Sequence, residues 1–200
     1  SRANEIFHLC IRGEIQSFNR GIEGWINELY RQNLPFCLVN SKILAENDLE
    51  GIKILILPMP YYLKQEELDA IKNWVRQGGC LISEAHLGAY NGTLGRHERT
   101  VPGGGLAESF GFQEVFSSAP LHFSKLISDS EDISDLPPDV QKALREHGDS
   151  GSNLLKIRLE NGQEVLGGYR YAEIEGNVRK IIGRHGSRKA SIIENSVGAG

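Results

Sequence analysis

The sequence predicts an α/β fold: a flavodoxin-like, doubly wound, mainly parallel sheet with a β-rich C-terminal extension. Three observations predict it. Residues 51–88 read as strand, loop, helix, glycine turn, strand and loop. The first 88 residues alternate strand-like and helix-like patterns, as a parallel sheet with crossover helices does. The last third carries short alternating segments around an Asn-Gly pair, which is a hairpin pattern.

Taken in order, residues 5–11 (EIFHLCI) form a candidate first strand. Residues 14–31 are an amphipathic helix, because Ile15, Phe18, Ile22, Trp25, Ile26 and Leu29 recur at three- and four-residue spacing. Asn33 supplies a left-handed stop and Pro35 follows it. Phe36-Cys37-Leu38-Val39 is the expected second strand, and residues 44–50 connect it to the third. Ile54-Leu55-Ile56-Leu57 is apolar without alternation, which suits a strand covered on both faces. Pro58 and Pro60 end it, since neither can donate a ladder hydrogen bond. Gln65, Glu66 and Glu67 open a helix where its dipole favours acidic groups. Leu68, Ile71 and Val75 give that helix one apolar face, with Trp74 beside it. Gly78 and Gly79 stop it, and Cys80-Leu81-Ile82 is the next strand.

Beyond residue 88 the character changes. Residues 88–105 hold six glycines and are expected to be a long loop, a kind of segment that is usually functional or mobile. A short helix at 106–110 ends at Gly111, and 112–116 is a further strand. Residues 117–152 are polar and poorly patterned, so an insertion is expected there, with one helix at 138–147. Residues 153–195 form a β-rich part expected to complete or cap the sheet. Within it Leu155, Ile157 and Leu159 alternate with charged residues, and Asn161-Gly162 predicts a type I′ hairpin turn into residues 163–169. Strand-like pieces follow at 169–174, 178–182 and 190–194. The expectation is one domain over 1–200. The start at Ser1 in a strand-like run, and the end just after an apolar one, point to a piece excised from a longer protein.

Composition narrows the function. The 200 residues are 40% hydrophobic with a formal charge of −4, enough for a core and wrong for a nucleic-acid or anionic-membrane partner. The basic cluster at 184–189 reads as a solvated turn. No run approaches the roughly 20 apolar residues of a membrane span. Cys10, Cys37 and Cys80 are odd in number, widely spaced and set in apolar runs, so they are expected to be reduced core thiols of a cytoplasmic protein. There is no CxxC or HxxxH spacing for zinc, and no cofactor or metal is expected.

Candidate chemistry sits at the carboxyl ends of the two central strands, where open α/β sheets place ligands. Glu84 and His86 follow the 80–82 strand and have the chemistry of an acid–base pair, or of groups that tie down the glycine-rich loop. A G-x-S-x-G or G-x-C-x-G elbow is missing there, and Cys80 lies at the wrong end of its strand for a nucleophile. No catalytic residue is therefore assigned. Tyr61, Tyr62, Glu84, His86, Arg96 and His97 form the candidate pocket or interface set. Gly103-Gly104-Gly105 before a helix offers backbone N–H groups to an anion, without the Gly-Lys-Ser/Thr of a P-loop.

The stretch from Asp48-Leu49 through Lys53 to Pro58, Trp74-Val75, Gly78-Gly79 and Pro102 to Gly111 resembles the middle, trimerisation domain of family 42 glycoside hydrolases, the beta-galactosidases. Ser191 to Gly198 resembles that family's later strand and Val-Gly turn. The resemblance implies a degenerate relative of class I glutamine amidotransferases whose catalytic groups are lost. It implies that the two carboxylates of glycoside cleavage sit on a separate (β/α)₈ barrel. It also implies that the partners are other domains of the same polypeptide and further copies of the chain. The expected function is then a noncatalytic assembly domain. The alternative is a stand-alone amidotransferase-like hydrolase, or a small-molecule-binding domain, using Glu84 and His86.

Overall fold

The structure, a computed structural model, describes residues 2–12, 15–46, 48–118, 155–167, 171–185 and 190–198. The helix expected at 138–147, and nearly all of the insertion expected at 117–152, lie outside the described residues. The chain divides into two compact units. One comprises Ser1–Glu114, Gly176–Arg179 and Asn195–Gly200; the other comprises Val115–Glu175 and Lys180–Glu194.

The first unit is built on the expected βαβ unit. Strand β1 (Ile54–Leu57), helix α4 (Gln65–Arg76) and strand β2 (Cys80–Ser83) follow one another, with β1 and β2 parallel in the register Ile54↔Cys80 to Leu57↔Ser83. Leu68, Ile71, Trp74 and Val75 of α4 are buried with Leu55, Leu63, Leu87, Leu106 and Phe110, so the helix's apolar face is the core. Glu67 is buried as well. It accepts the Lys64 N–H at 2.8 Å and so closes the first turn as the reciprocal half of a capping box. The two glycines after α4 have different reasons. Gly78 takes a left-handed conformation, whereas a Cβ on Gly79 would run into the Trp74 indole.

Three helices precede β1. The segment expected as the first strand, 5–11, is helical instead: α1 (Arg2–Ile6) runs into a π-helical turn, Phe7–Arg12. The buried residues explain why. Asn4, Phe7 and His8 are inside while Ile6 and Leu9 are exposed, a three- and four-residue period that no strand satisfies. Helix α2 (Ile15–Arg31) forms as expected and stops at Asn33, whose φ is 53°. The expected second strand is a second correction. Residues 36–39 belong to no strand or helix; Phe36 turns its ring edge-on to Tyr30, and Leu38 is 75% exposed. Asn40 then caps α3 (Ser41–Ala45) by accepting the N–H groups of Lys42 and Ile43. Neither segment pairs with β1, so among the described residues the parallel sheet has two strands, short of the doubly wound sheet expected.

The glycine-rich stretch is more ordered than a plain loop. Strands β3 (Tyr90–Asn91) and β4 (Arg96–His97) pair antiparallel, and α5 (Leu106–Phe110) lies between Gly105 and Gly111, both left-handed. Gly103 packs against the Gly88 carbonyl and Gly104 against Leu68, so these glycines serve close packing rather than an anion. The cysteines also differ from expectation. Cys10, Cys37 and Cys80 are exposed, because the runs that carry them are not covered on both faces.

The second unit is a largely antiparallel sheet in the order β5-β8-β10-β9-β6-β7. Its strands are β5 (Phe112–Ser118), β6 (Leu155–Leu159), β7 (Glu164–Gly167), β8 (Tyr171–Gly176), β9 (Lys180–His185) and β10 (Ala190–Glu194). Four residues, 160–163, connect β6 to β7, and they do not form the expected two-residue type I′ turn. Leu159 N–H donates to Gln163 C=O at 2.8 Å, and Gly162 N–H donates to Leu159 C=O. Gly162 alone is left-handed there, at φ 85°, whereas a type I′ turn needs two such residues.

Candidate functional site

The loops beyond β1 and β2 meet around Met59. Pro58 and Pro60 bracket it, and its φ is 42°. Its N–H donates to Glu84 Oε2 at 3.1 Å. Its carbonyl accepts from Asn4 Nδ2 at 2.9 Å and lies 3.1 Å from His8 Nε2. Asn4 Oδ1 also takes the Tyr62 N–H at 2.8 Å. Asn4 and His8, four residues apart on the first helical segment, thus grip the loop from one helix face. Gly88 N–H to Pro60 C=O and Tyr90 N–H to Tyr61 C=O lace this loop to the next.

Glu84 and His86 are not paired with each other. Glu84 accepts the Trp25 indole N–H at 3.0 Å through Oε1 and the Met59 N–H through Oε2, so its carboxylate ties α2 to the loop after β1. His86 is buried and left-handed, at φ 68°. Glu114 holds it twice: Oε1 accepts the His86 N–H at 2.7 Å, and Oε2 lies 3.0 Å from Nδ1, an ion pair when the ring is protonated. The Tyr61 ring lies 4.8 Å from the imidazole. These groups hold backbone in costly conformations. They do not assemble a nucleophile and its base.

The six candidate residues therefore separate. Tyr61 and His86 are interior, and Glu84 is a tie at the rim. Arg96 and His97 are exposed on β4, with His97 edge-on to Tyr90. Tyr62 alone of the six lines a cleft of about 560 Å³ between the start of α4 and the 88–98 loop. Its other walls include Leu68, Tyr90, Thr93, Lys64 and Glu98. The sequence reading missed Asn4, His8, Tyr90, Glu98 and Glu114. The four-residue spacing of Asn4 and His8 was a usable signal once that segment is read as helix. Glu114 lies 28 residues from His86, and nothing local marks it as a partner. Among the described residues no group of three or more His, Cys, Asp or Glu side chains is arranged to hold a metal, and no helix is long and apolar enough to cross a membrane.

Comparison with known proteins gives a consistent result. The profile of the beta-galactosidase trimerisation domain family matches residues 15–133. The beta-galactosidase BgaB of Geobacillus sp. (strain Y412MC61) is 31% identical over a segment covering 36% of this chain and 12% of that protein. The bgaB beta-galactosidase of Geobacillus kaustophilus matches to the same extent. Among solved structures, a beta-galactosidase from Bacillus circulans sp. alkalophilus superposes with a TM-score of 0.64 at 17% identity, covering 92% of this chain and 23% of that one. The cold-adapted beta-galactosidase from Rahnella sp. R3 superposes with a TM-score of 0.54 at 18% identity, covering 86% and 22%. The chain thus spans about an eighth of the curated relatives and under a quarter of these structures.

Proposed function

The chain belongs to the beta-galactosidase trimerisation domain family, and from that premise we propose that it is a noncatalytic assembly domain of a family 42 glycoside hydrolase. The observation that carries the reading is the engagement of Glu84 and His86. Glu84 is taken by Trp25 and Met59, His86 by Glu114, so neither is poised for acid–base work. Glycoside cleavage needs two carboxylates flanking the bond. In this reading they belong to a (β/α)₈ barrel elsewhere in the same polypeptide, since a barrel takes about 250 residues. The left-handed turn at His86, where an amidotransferase would keep its nucleophile, supports an amidotransferase-like, flavodoxin-like origin for the β1–α4–β2 unit. The exposed Leu38 and Ile54 supply apolar surface for self-association. Three free thiols favour the cytoplasm as its compartment.

The test joins two measurements on the purified chain. A chromogenic β-galactoside and glutamine should both be left unhydrolysed, and sedimentation velocity should show association that rises with concentration. Turnover abolished by Glu84→Gln or His86→Gln would overturn the reading in favour of a stand-alone hydrolase.

A further inference from the structure

We propose that the cleft beside α4 is a binding site for a neutral, polyhydroxylated ring such as a pyranoside. This goes beyond the assembly role and does not rest on it. The volume, about 560 Å³, is that of a small-molecule pocket. Its lining has two chemistries. Tyr62 and Tyr90 stand nearly perpendicular, with ring centroids 5.9 Å apart, and with Leu68 they give an apolar wall that suits the C–H face of a sugar ring. Glu98 faces the same space and is pre-oriented, because Oε1 accepts from Asn91 Nδ2 at 2.8 Å. Among the described residues Oε2 takes no hydrogen bond, so it remains as a charged acceptor for a ligand hydroxyl. Thr93 adds a hydroxyl and Lys64 a donor.

Charge selects the class. Glu66 and Glu98 outnumber Lys64 in the lining, which disfavours an anion. Lys64, 3.6 Å from Glu66, offsets one of those carboxylates and leaves Glu98 as the one unbalanced charge. A neutral ligand rich in hydroxyls meets both the apolar wall and the acceptors. The backbone is shaped to this end at Gly92, where any Cβ would strike the Tyr62 hydroxyl, so the glycine keeps the ring in the cleft wall.

The experiment is ligand-observed NMR titration of the 200-residue chain with methyl β-galactoside, methyl β-glucoside, choline and inorganic phosphate. At least one glycoside should bind saturably, with Kd on the order of 1 to 10 mM. Glu98→Gln, Gly92→Ala (which swings the Tyr62 ring aside) and Thr93→Val should each weaken it by about fivefold or more, the loss of one good polar or packing contact. Lys53→Gln, remote from the cleft, should leave it unchanged. Circular dichroism melting of each variant separates lost binding from lost folding, and exposed Thr93 keeps the test open if the glycine variant does not fold. Tighter binding of choline or phosphate would overturn the proposal. So would no saturation by either glycoside at about 100 mM, or binding indifferent to all the cleft variants that fold.

Discussion

Met59 is held at both its N–H and its carbonyl, by Glu84 from the loop after β2 and by Asn4 and His8 from the first helical segment. His86 is a second residue of this kind: left-handed, buried, and bound at its backbone and its ring by one carboxylate. Removing that carboxylate leaves the buried His86 N–H without its acceptor. Glu114→Ala should therefore destabilise the chain by about 2 to 3 kcal/mol, and Glu114→Gln, which keeps one acceptor, by about half of that. Thermal melting checks both, and an unchanged Tm in Glu114→Ala would refute the bracing role. Glu28 offers a contrasting, exposed case. Hydrogen bonds from Arg31 and Gln32 hold its carboxyl well below the ordinary 4.5, at about 2. A depressed carboxylate contributes its stability above the unfolded value and loses it as the pH falls towards 2. NMR titration should find the Glu28 midpoint there in the native chain, and Arg31→Gln should return it towards the ordinary range. An ordinary midpoint in the unmutated chain would show that the pair does not persist in solution.

At the scale of elements, the β1–α4–β2 unit shows how much a local pattern specifies. Its apolar spacing, prolines and paired glycines mark each boundary, and the helix and both strands form within a residue or so of where those signals put them. The pattern does not tell the two glycines apart. Gly79 is required by the Trp74 indole and not by backbone conformation. Gly79→Ala should cost about 2 kcal/mol through overpacking against a buried ring. Restoring stability with Trp74→Leu in the same chain would identify the cause. Additive losses in the double variant would instead exclude the steric explanation. Failures of the local pattern have an equally physical origin. EIFHLCI is apolar enough for a strand, yet Asn4 and His8 reach Met59 only from helix spacing. Phe36-Cys37-Leu38-Val39 has the composition of a strand, yet it pairs with no strand among the described residues. For the hairpin, Asn-Gly announced the turn correctly, and the register Arg158↔Glu164 decided its length.

For the molecule as a whole, the exposed apolar residues are where the proposed association can be tested. Leu38 and Ile54 are more than half exposed, so each is a candidate contact for the proposed self-association. If that surface mediates the association expected in sedimentation, Leu38→Lys should shift the chain towards monomer without lowering its Tm. Association unchanged in that variant would place the interface elsewhere.

The sequence by itself determined the central βαβ unit, the helix before it, the hairpin and the family resemblance. All of these rest on short-range periodicity, turn chemistry and residues close together in the chain. Only the tertiary structure decided that Glu84 and His86 answer to Met59, Trp25 and Glu114 rather than to each other. It also decided that the parallel sheet among the described residues stops at two strands, and that Tyr62, Tyr90 and Glu98 share one cleft. The reason is common to all three. A strand needs an available edge and a buried polar group needs a partner, and both are supplied by segments distant in sequence, which no local pattern encodes.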